Sequence, residues 1–396
     1  MKKLLLLGAQ DTHLPLIRRA KERGVYVITC DYLPENPGHK LADEAYYDST
    51  TDREAVLRLA ERLGVDGIMT FSSDPAAPVA AWVAERLGLP GGGAEAVRIM
   101  SEKDAFRDFL RKHGFRVPRF SSYTSLDGLR GDLESLSFPL MVKPVDASGS
   151  KGVERVADAD ALLQCFEGAL AYSRSGRVIV EECIDSDYPQ LHGDGFVLGG
   201  ELVFLQLGDH HFNPEVNNLV PISSTFPSGQ PEEQVKRVEE EIRRFIRLVG
   251  YRQGAINVEA RVSAGGEVYI IDIGARNGGN FTPQTIEYST GFDFVDVGLS
   301  VALGEPLQIP SAVRRACYSH LVVHAAADGV LDGLEFSEML REQIVEWHPC
   351  VEVGASVFAF RRANAAIGVL IVRSDSVREL NGVADGMDEH VRVYLR

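Results

Sequence analysis

Between Leu4 and Leu87 the apolar residues fall into short continuous runs separated by amphipathic stretches. Leu4–Leu7 and Val25–Thr29 are runs of strand length, and each empties into polar residues, Gly8-Ala9-Gln10 and Asp31. Between them Leu14, Ile17 and Ala20 recur with the helical period, and Gly24 closes that segment. Val56, Leu59, Ala60 and Leu63 repeat the helical stripe, Gly67–Phe71 supplies another strand, and Val79, Trp82, Val83 and Leu87 mark the next helix. Strand and helix in alternation predict an α/β domain, a parallel sheet with helices on both faces. Such sheets bind ligands beyond the carboxyl ends of their strands, which makes Asp31 and Asp74 substrate-side candidates. Gly8-Ala9-Gln10 lacks the spacing of a dinucleotide-binding turn. Gly91-Gly-Gly93 breaks the pattern and sets the first boundary, leaving 1–93 as the first domain.

The pattern changes beyond that break. Leu140–Val142 is a short apolar run that delivers Lys143, and Pro144 stops it. Ala147-Ser148-Gly149-Ser150-Lys151-Gly152 follows as a small-residue loop whose backbone N–H groups can wrap phosphate oxygens. The lysine precedes the glycines and GxxxxGK[ST] is absent, so this is not a Walker loop. Val178–Val180 runs into Glu181-Glu182-Cys183-Ile184 and a polar bend, a strand exit of the kind that reads an adenine edge with backbone groups.

Two further runs, Ala255–Val262 and Val268–Ile273, flank Gly265-Gly266 and read as a hairpin that sets Glu259 beside Asp272. Paired carboxylates repel unless a cation or a shared proton lies between them. Mg²⁺ takes one or two carboxylates and completes its octahedron with phosphate and water. Arg276 and Asn277-Gly278-Gly279-Asn280 come directly after, adding a cation and a glycine-opened backbone. Upstream, Val238, Ile242, Phe245, Ile246 and Val249 share one stripe of a helix over Glu232–Val249, read as core. His210 and His211 precede that helix. Surface histidines are the plainer reading and an acceptor-side role the alternative, since no third ligand is spaced to hold a metal with them.

Composition narrows the partners. The chain has 396 residues, 45% hydrophobic and 25% charged, as in an ordinary soluble globular protein of two or three domains. A net charge of −16 argues against nucleic-acid binding, which needs a basic footprint. Five scattered cysteines with no CxxC pair indicate neither a disulfide framework nor a zinc site, and fit a reducing cytoplasmic setting. No apolar run reaches membrane-spanning length. The four leucines at the start are too few for a leader and read as a buried strand. A homodimer is compatible with these features.

With the lysine-loop, the strand exit and the carboxylate hairpin in this order, the sequence resembles the ATP-grasp superfamily of carboxylate–amine ligases from about Leu4 to the C-terminus. The resemblance implies a Rossmann-like pre-ATP-grasp domain, an ATP-grasp module over 94–304 with a lid at about 115–185, and an α+β cap over 305–396. It implies that Lys103 and Lys143 contact phosphates, that Ser148, Gly149, Ser150 and Gly152 belong to the phosphate loop, and that Glu181, Glu182, Cys183 and Ile184 form the adenine hinge. It makes Glu259 and Asp272 the Mg²⁺ ligands, with Mn²⁺ able to stand in, and Arg276 the group facing the transferred phosphoryl. The usual E-x-N-x-R stands here as Asp272-Ile-Gly-Ala-Arg276, with Gly274 in place of an asparagine that completes a metal shell. The acidic ribose-binding position is open between Asp185, Asp187 and Gln190. Asn277, Gly278 and Asn280 fall on the substrate side.

The expected activity is ATP-dependent activation of a small carboxylate as an acyl phosphate and its capture by an amine, with Lys143 and Arg276 as the catalytic pair. The alternatives are a glycinamide-ribonucleotide-type ligase or carboxylase, and an ATP-binding regulatory protein without chemistry.

Overall fold

The structure, a computed structural model, describes residues 1–307, 309 and 315–396. The first strands pair in the order Glu44–Tyr46, Tyr26–Cys30, Lys3–Leu7, Gly67–Met69, all parallel. Successive side chains of a strand point to opposite faces, so Leu5 and Leu7 enter one core with Val56, Ala60 and Val83. Leu4 and Leu6 enter the other with Ile17, Val27 and Leu299. Leu299 comes from the helix Phe294–Ala302, far along the chain, which covers one face of the N-terminal sheet.

A second sheet of four strands runs Phe120–Tyr123, Val178–Glu182, Leu140–Pro144, Glu154–Val156, with antiparallel pairing throughout. Leu140, Val142, Val156, Val178 and Val180 pack with Leu162, Phe166 and Ala169 of the helix Ala159–Tyr172. The alternate residues, Met141, Lys143, Arg155 and Glu181, are therefore left to the opposite face.

The largest sheet has eight strands: Val268–Gly274, Gly254–Val262, Leu191–Leu198, Glu201–Asn213, Asn217–Phe226, Cys317–His324, Ala366–Ser374 and Ile344–Pro349, in that order. The helix Glu232–Val249 lays its apolar stripe on one face, where Phe245 and Ile246 meet Ile256, Val258 and Ile270. The C-terminal strands pair onto Asn217–Phe226 and continue this sheet, because an exposed strand edge is a row of unpaired backbone groups that a neighbour can satisfy. Gly329–Phe336, Ser356–Val357 and Val391–Leu395 form a small separate sheet. Among the described residues no helix is long and apolar enough to cross a membrane.

Candidate active site

The free face of the four-stranded sheet and the Glu259 hairpin enclose a cleft of about 350 Å³. Lys103 begins the helix Lys103–Lys112, and its Nζ donates to Ala147 O at 2.6 Å, pinning the start of the glycine loop. One turn later Arg107 is buried. Its Nε lies 2.9 Å from Glu181 Oε2, its Nη2 3.3 Å from Oε1, and its Nη1 donates to Ile271 O at 2.9 Å. Lys143 pairs with the same Glu181 carboxylate. Burial pushes the Glu181 carboxyl up, but the Arg107 and Lys143 charges outweigh it and hold the group at about 2. Glu181 lines the cleft, and its carboxylate is taken up as the buried counter-ion of Arg107 and Lys143. Glu182, Cys183 and Ile184 line the cleft as well.

Ser148, Gly149 and Ser150 also line the cleft. Gly149 and Ser150 hold φ values of 64° and 56°, and Ser150 Oγ donates to Leu219 O at 2.7 Å. Gly152, at φ 68°, does not line it. A Cβ there would stand 2.8 Å from the Tyr172 ring, so this glycine serves close packing beneath the loop.

In the hairpin Glu259 and Asp272 are cross-strand partners. Burial, then the neighbouring Asp272 charge, push the Glu259 carboxyl up. A divalent cation would relieve both effects. Among the described residues no group of three or more His, Cys, Asp or Glu stands ready to hold a metal, so a cation here would draw further oxygens from phosphate or water. Gln190 Nε2 donates to Glu259 Oε2 at 2.9 Å, and Arg261 Nε donates to Gln190 Oε1 at 3.2 Å. Gln190 lines the cleft and is tied to Glu259, one of the two expected Mg²⁺ ligands. Asp187 is exposed and does not line the cleft.

Arg276 is held in a two-pronged pair, Nε to Asp74 Oδ1 and Nη2 to Asp74 Oδ2, both 2.7 Å, and its Nη1 donates to Asn277 O at 3.1 Å. Burial raises the Asp74 carboxyl, but the Arg276 charge and hydrogen bonds bring it below its ordinary value. Asp74, a substrate-side candidate, thus anchors the arginine. A Cβ at Gly274 would lie 3.0 Å from Asp74 Oδ1 and 3.2 Å from Arg276 Nε. The missing side chain in Asp272-Ile-Gly-Ala-Arg276 makes room for this ion pair.

Several other substrate candidates are spent on structure. Asp31 accepts from Ala9 N at 3.2 Å and Leu33 N at 3.0 Å. Gly278 N donates to both oxygens of buried Asp194, at 3.0 and 2.8 Å, and burial pushes that carboxyl up to about 6 against the pull of the Gly278 amide, Asn257 and Arg276. Asn277 lines a separate cavity beside the N-terminal sheet and not the cleft. Asn280 does not line the cleft and, with Phe281, adopts left-handed backbone, φ 51° and 57°. The two histidines are buried, not superficial, because the strand Glu201–Asn213 is central. His210 stacks on His192 with centroids 4.0 Å apart, while His211 points to the other face, 2.8 Å from Asp385 and 3.2 Å from Thr225 Oγ1.

A phosphate loop beneath two lysines, a carboxylate pair and a clamped arginine in one cleft form a donor set that fits ATP and Mg²⁺. A profile of the family described as "ATP-grasp domain" matches residues 136–284. Residues 136–284 belong to the ATP-grasp domain family. An uncharacterized protein of Sinorhizobium fredii is 26% identical over 81% of this chain and 70% of its own length. Alanine–anticapsin ligase of Bacillus subtilis is 27% identical over 66% of this chain and 59% of its own. The crystal structure of an L-amino acid ligase from Bacillus licheniformis superposes with a TM-score of 0.84 at 23% identity, covering 100% of this chain and 99% of that one. The chain spans about half the length of the formate-dependent phosphoribosylglycinamide formyltransferases it matches, 48% for the Synechococcus protein.

Of the other residues lining the ATP-grasp cleft, Met141 and Arg155 were findable from strand alternation, because Met141 lies two before Lys143 and pairs across to Arg155. Arg107 had a signal too, a charge on the same helical face as Phe106 and Leu110. Phe212, Leu219 and Pro221 come from a distant hairpin and carried none.

Proposed function

We propose that this ATP-grasp protein is a ligase that activates a small carboxylate with ATP and Mg²⁺ as an acyl phosphate and joins it to an amine, releasing ADP and phosphate. The reading rests on one observation above others: Lys103, Lys143, Glu259, Asp272 and Arg276 converge on a single cleft. Bound Mg²⁺ would neutralise phosphate charge, and Glu259 and Asp272 are the residues to hold it. Lys103 and Lys143 bind and orient the polyphosphate. Arg276, preset by Asp74, offsets the charge of two anions brought together, which a poorly solvated site magnifies. Preset donors lose little to reorganisation during the reaction, so positioning carries the rate without a covalent enzyme intermediate.

An amino acid is the favoured substrate class, since two of the relatives are named alanine–anticapsin ligase and L-amino acid ligase. A phosphoribosyl substrate is less favoured. The relatives named for one, the formate-dependent phosphoribosylglycinamide formyltransferases, match over 47% of this chain, against 66% for the alanine–anticapsin ligase. The test is product analysis with paired amino acids. ADP and phosphate should form only with both substrates present, isotopic oxygen should pass from the carboxylate into phosphate, and Arg276→Ala should lose turnover more than ATP affinity. Formation of AMP and pyrophosphate would overturn the assignment.

A further inference from the structure

Four of the cations lining the cleft are engaged: Lys103 with Ala147 O, Lys143 with Glu181, Arg261 with Gln190 and Arg276 with Asp74. Arg155 lines the same cleft and, among the described residues, enters no ion pair or side-chain hydrogen bond. It is exposed, on the edge strand Glu154–Val156 of the four-stranded sheet. Met141 is its cross-strand partner, and Glu181 pairs with Met141 from the other side. Glu181 is already neutralised by Arg107 and Lys143, so that row leaves Arg155 without an anion to pair with.

The strand Leu140–Pro144 gives the cleft a direction. At its start Leu140 pairs with Glu182, and Cys183 N donates to Pro139 O at 3.4 Å, so this end abuts the strand exit Glu182-Cys183-Ile184. At its far end Lys143 leads into the glycine loop. Met141 lies two residues before Lys143, about 7 Å closer to the strand exit at roughly 3.3 Å per residue. Arg155 stands beside Met141 and is thus set back from the phosphate end. Met141, Cys183, Ile184 and Ile271 also line the cleft, and such apolar, polarisable groups suit a flat ring better than a phosphate.

We propose that Arg155 binds the nucleotide by its base, laying its guanidinium on the purine beside the Met141 thioether. A planar, weakly hydrated guanidinium stacks on aromatic faces, and the attraction grows where water is excluded. The inference rests on ATP as the occupant of the cleft and is independent of which carboxylate and amine are joined.

Calorimetry on the full chain measures MgATP and, separately, magnesium tripolyphosphate, which carries phosphates without a base. Arg155→Ala should weaken MgATP about tenfold, the size of a partly shielded cation–π contact, and leave tripolyphosphate unchanged. Arg155→Lys should recover only part of the loss, because an ammonium has no planar face to stack. The side chain is exposed, so both variants should fold. A crystal structure with a nonhydrolysable ATP analogue should place the guanidinium within about 6 Å of the purine centroid. Equal losses for both ligands would make Arg155 a phosphate contact and overturn the proposal. So would an unchanged MgATP affinity, or a guanidinium turned away from the base in the crystal. A wild type that binds no MgATP would overturn the ATP reading of the cleft, and this proposal with it.

Discussion

Replacing Glu181 by glutamine removes one buried negative charge and leaves two buried positive ones. Glu181 is 4% exposed; Arg107 sits against it at 2.9 and 3.3 Å, and Lys143 shares the carboxylate. Holding a carboxyl with an ordinary value of 4.5 down at about 2 corresponds to about 3 kcal/mol of stability near neutral pH. Removing one partner of a buried ion pair independently suggests about 3–5 kcal/mol, because the remaining charge is stranded in a poorly polarisable interior. The sign follows from the direction. A depressed carboxyl stabilises above its unfolded value of 4.5, and that contribution disappears as the pH falls through about 2. Glu181→Gln should therefore be less stable than wild type by about 3 kcal/mol near neutral pH in urea unfolding, and most of the gap should close by about pH 3. The double variant Glu181→Gln/Lys143→Met removes one stranded cation and should be more stable than Glu181→Gln alone. A loss below about 1 kcal/mol, or one that does not change with pH, would refute the claim that this trio is a desolvated counter-ion system.

Three further outcomes are expected. Gly274→Asn pushes a side chain into space 3.0 Å from Asp74 Oδ1, so ADP release should fall at least about tenfold with the fold intact by circular dichroism; normal turnover would show that the Asp74–Arg276 geometry is not required. Asp272→Asn should abolish turnover without changing the melting temperature by more than about 2 °C, and near-normal turnover would remove the hairpin from the mechanism. Burial keeps His192, His210 and His320 below the ordinary 6.5, with repulsion from neighbouring histidines adding to it, so the folded state resists protons that the unfolded chain accepts. Stability should then fall as the pH drops below about 6.5, with His320→Asn melting less steeply with acid than wild type; identical slopes would exclude this histidine.

The sequence alone carried the local structure and the chemical inventory. Strand and helix periods depend on near neighbours, so the parallel N-terminal sheet, the core helix Glu232–Val249 and the Glu259–Asp272 hairpin could all be read from spacing. The lysine-then-glycine loop and the run to Arg276 were equally local. Which partner each charged group takes was decided by tertiary structure. Arg107 and Glu181 lie 74 positions apart, and Asp74 and Arg276 lie 202 apart. No periodicity spans such distances, so only packing matched Asp74 and Glu181 each with a cation. The same holds for His210 and His211, whose burial follows from the central place of their strand in a sheet completed by residues more than a hundred positions downstream. Local pattern fixes what a segment can form, but burial and counter-charge belong to the assembled neighbourhood, because the cost of desolvating a group depends on everything packed around it.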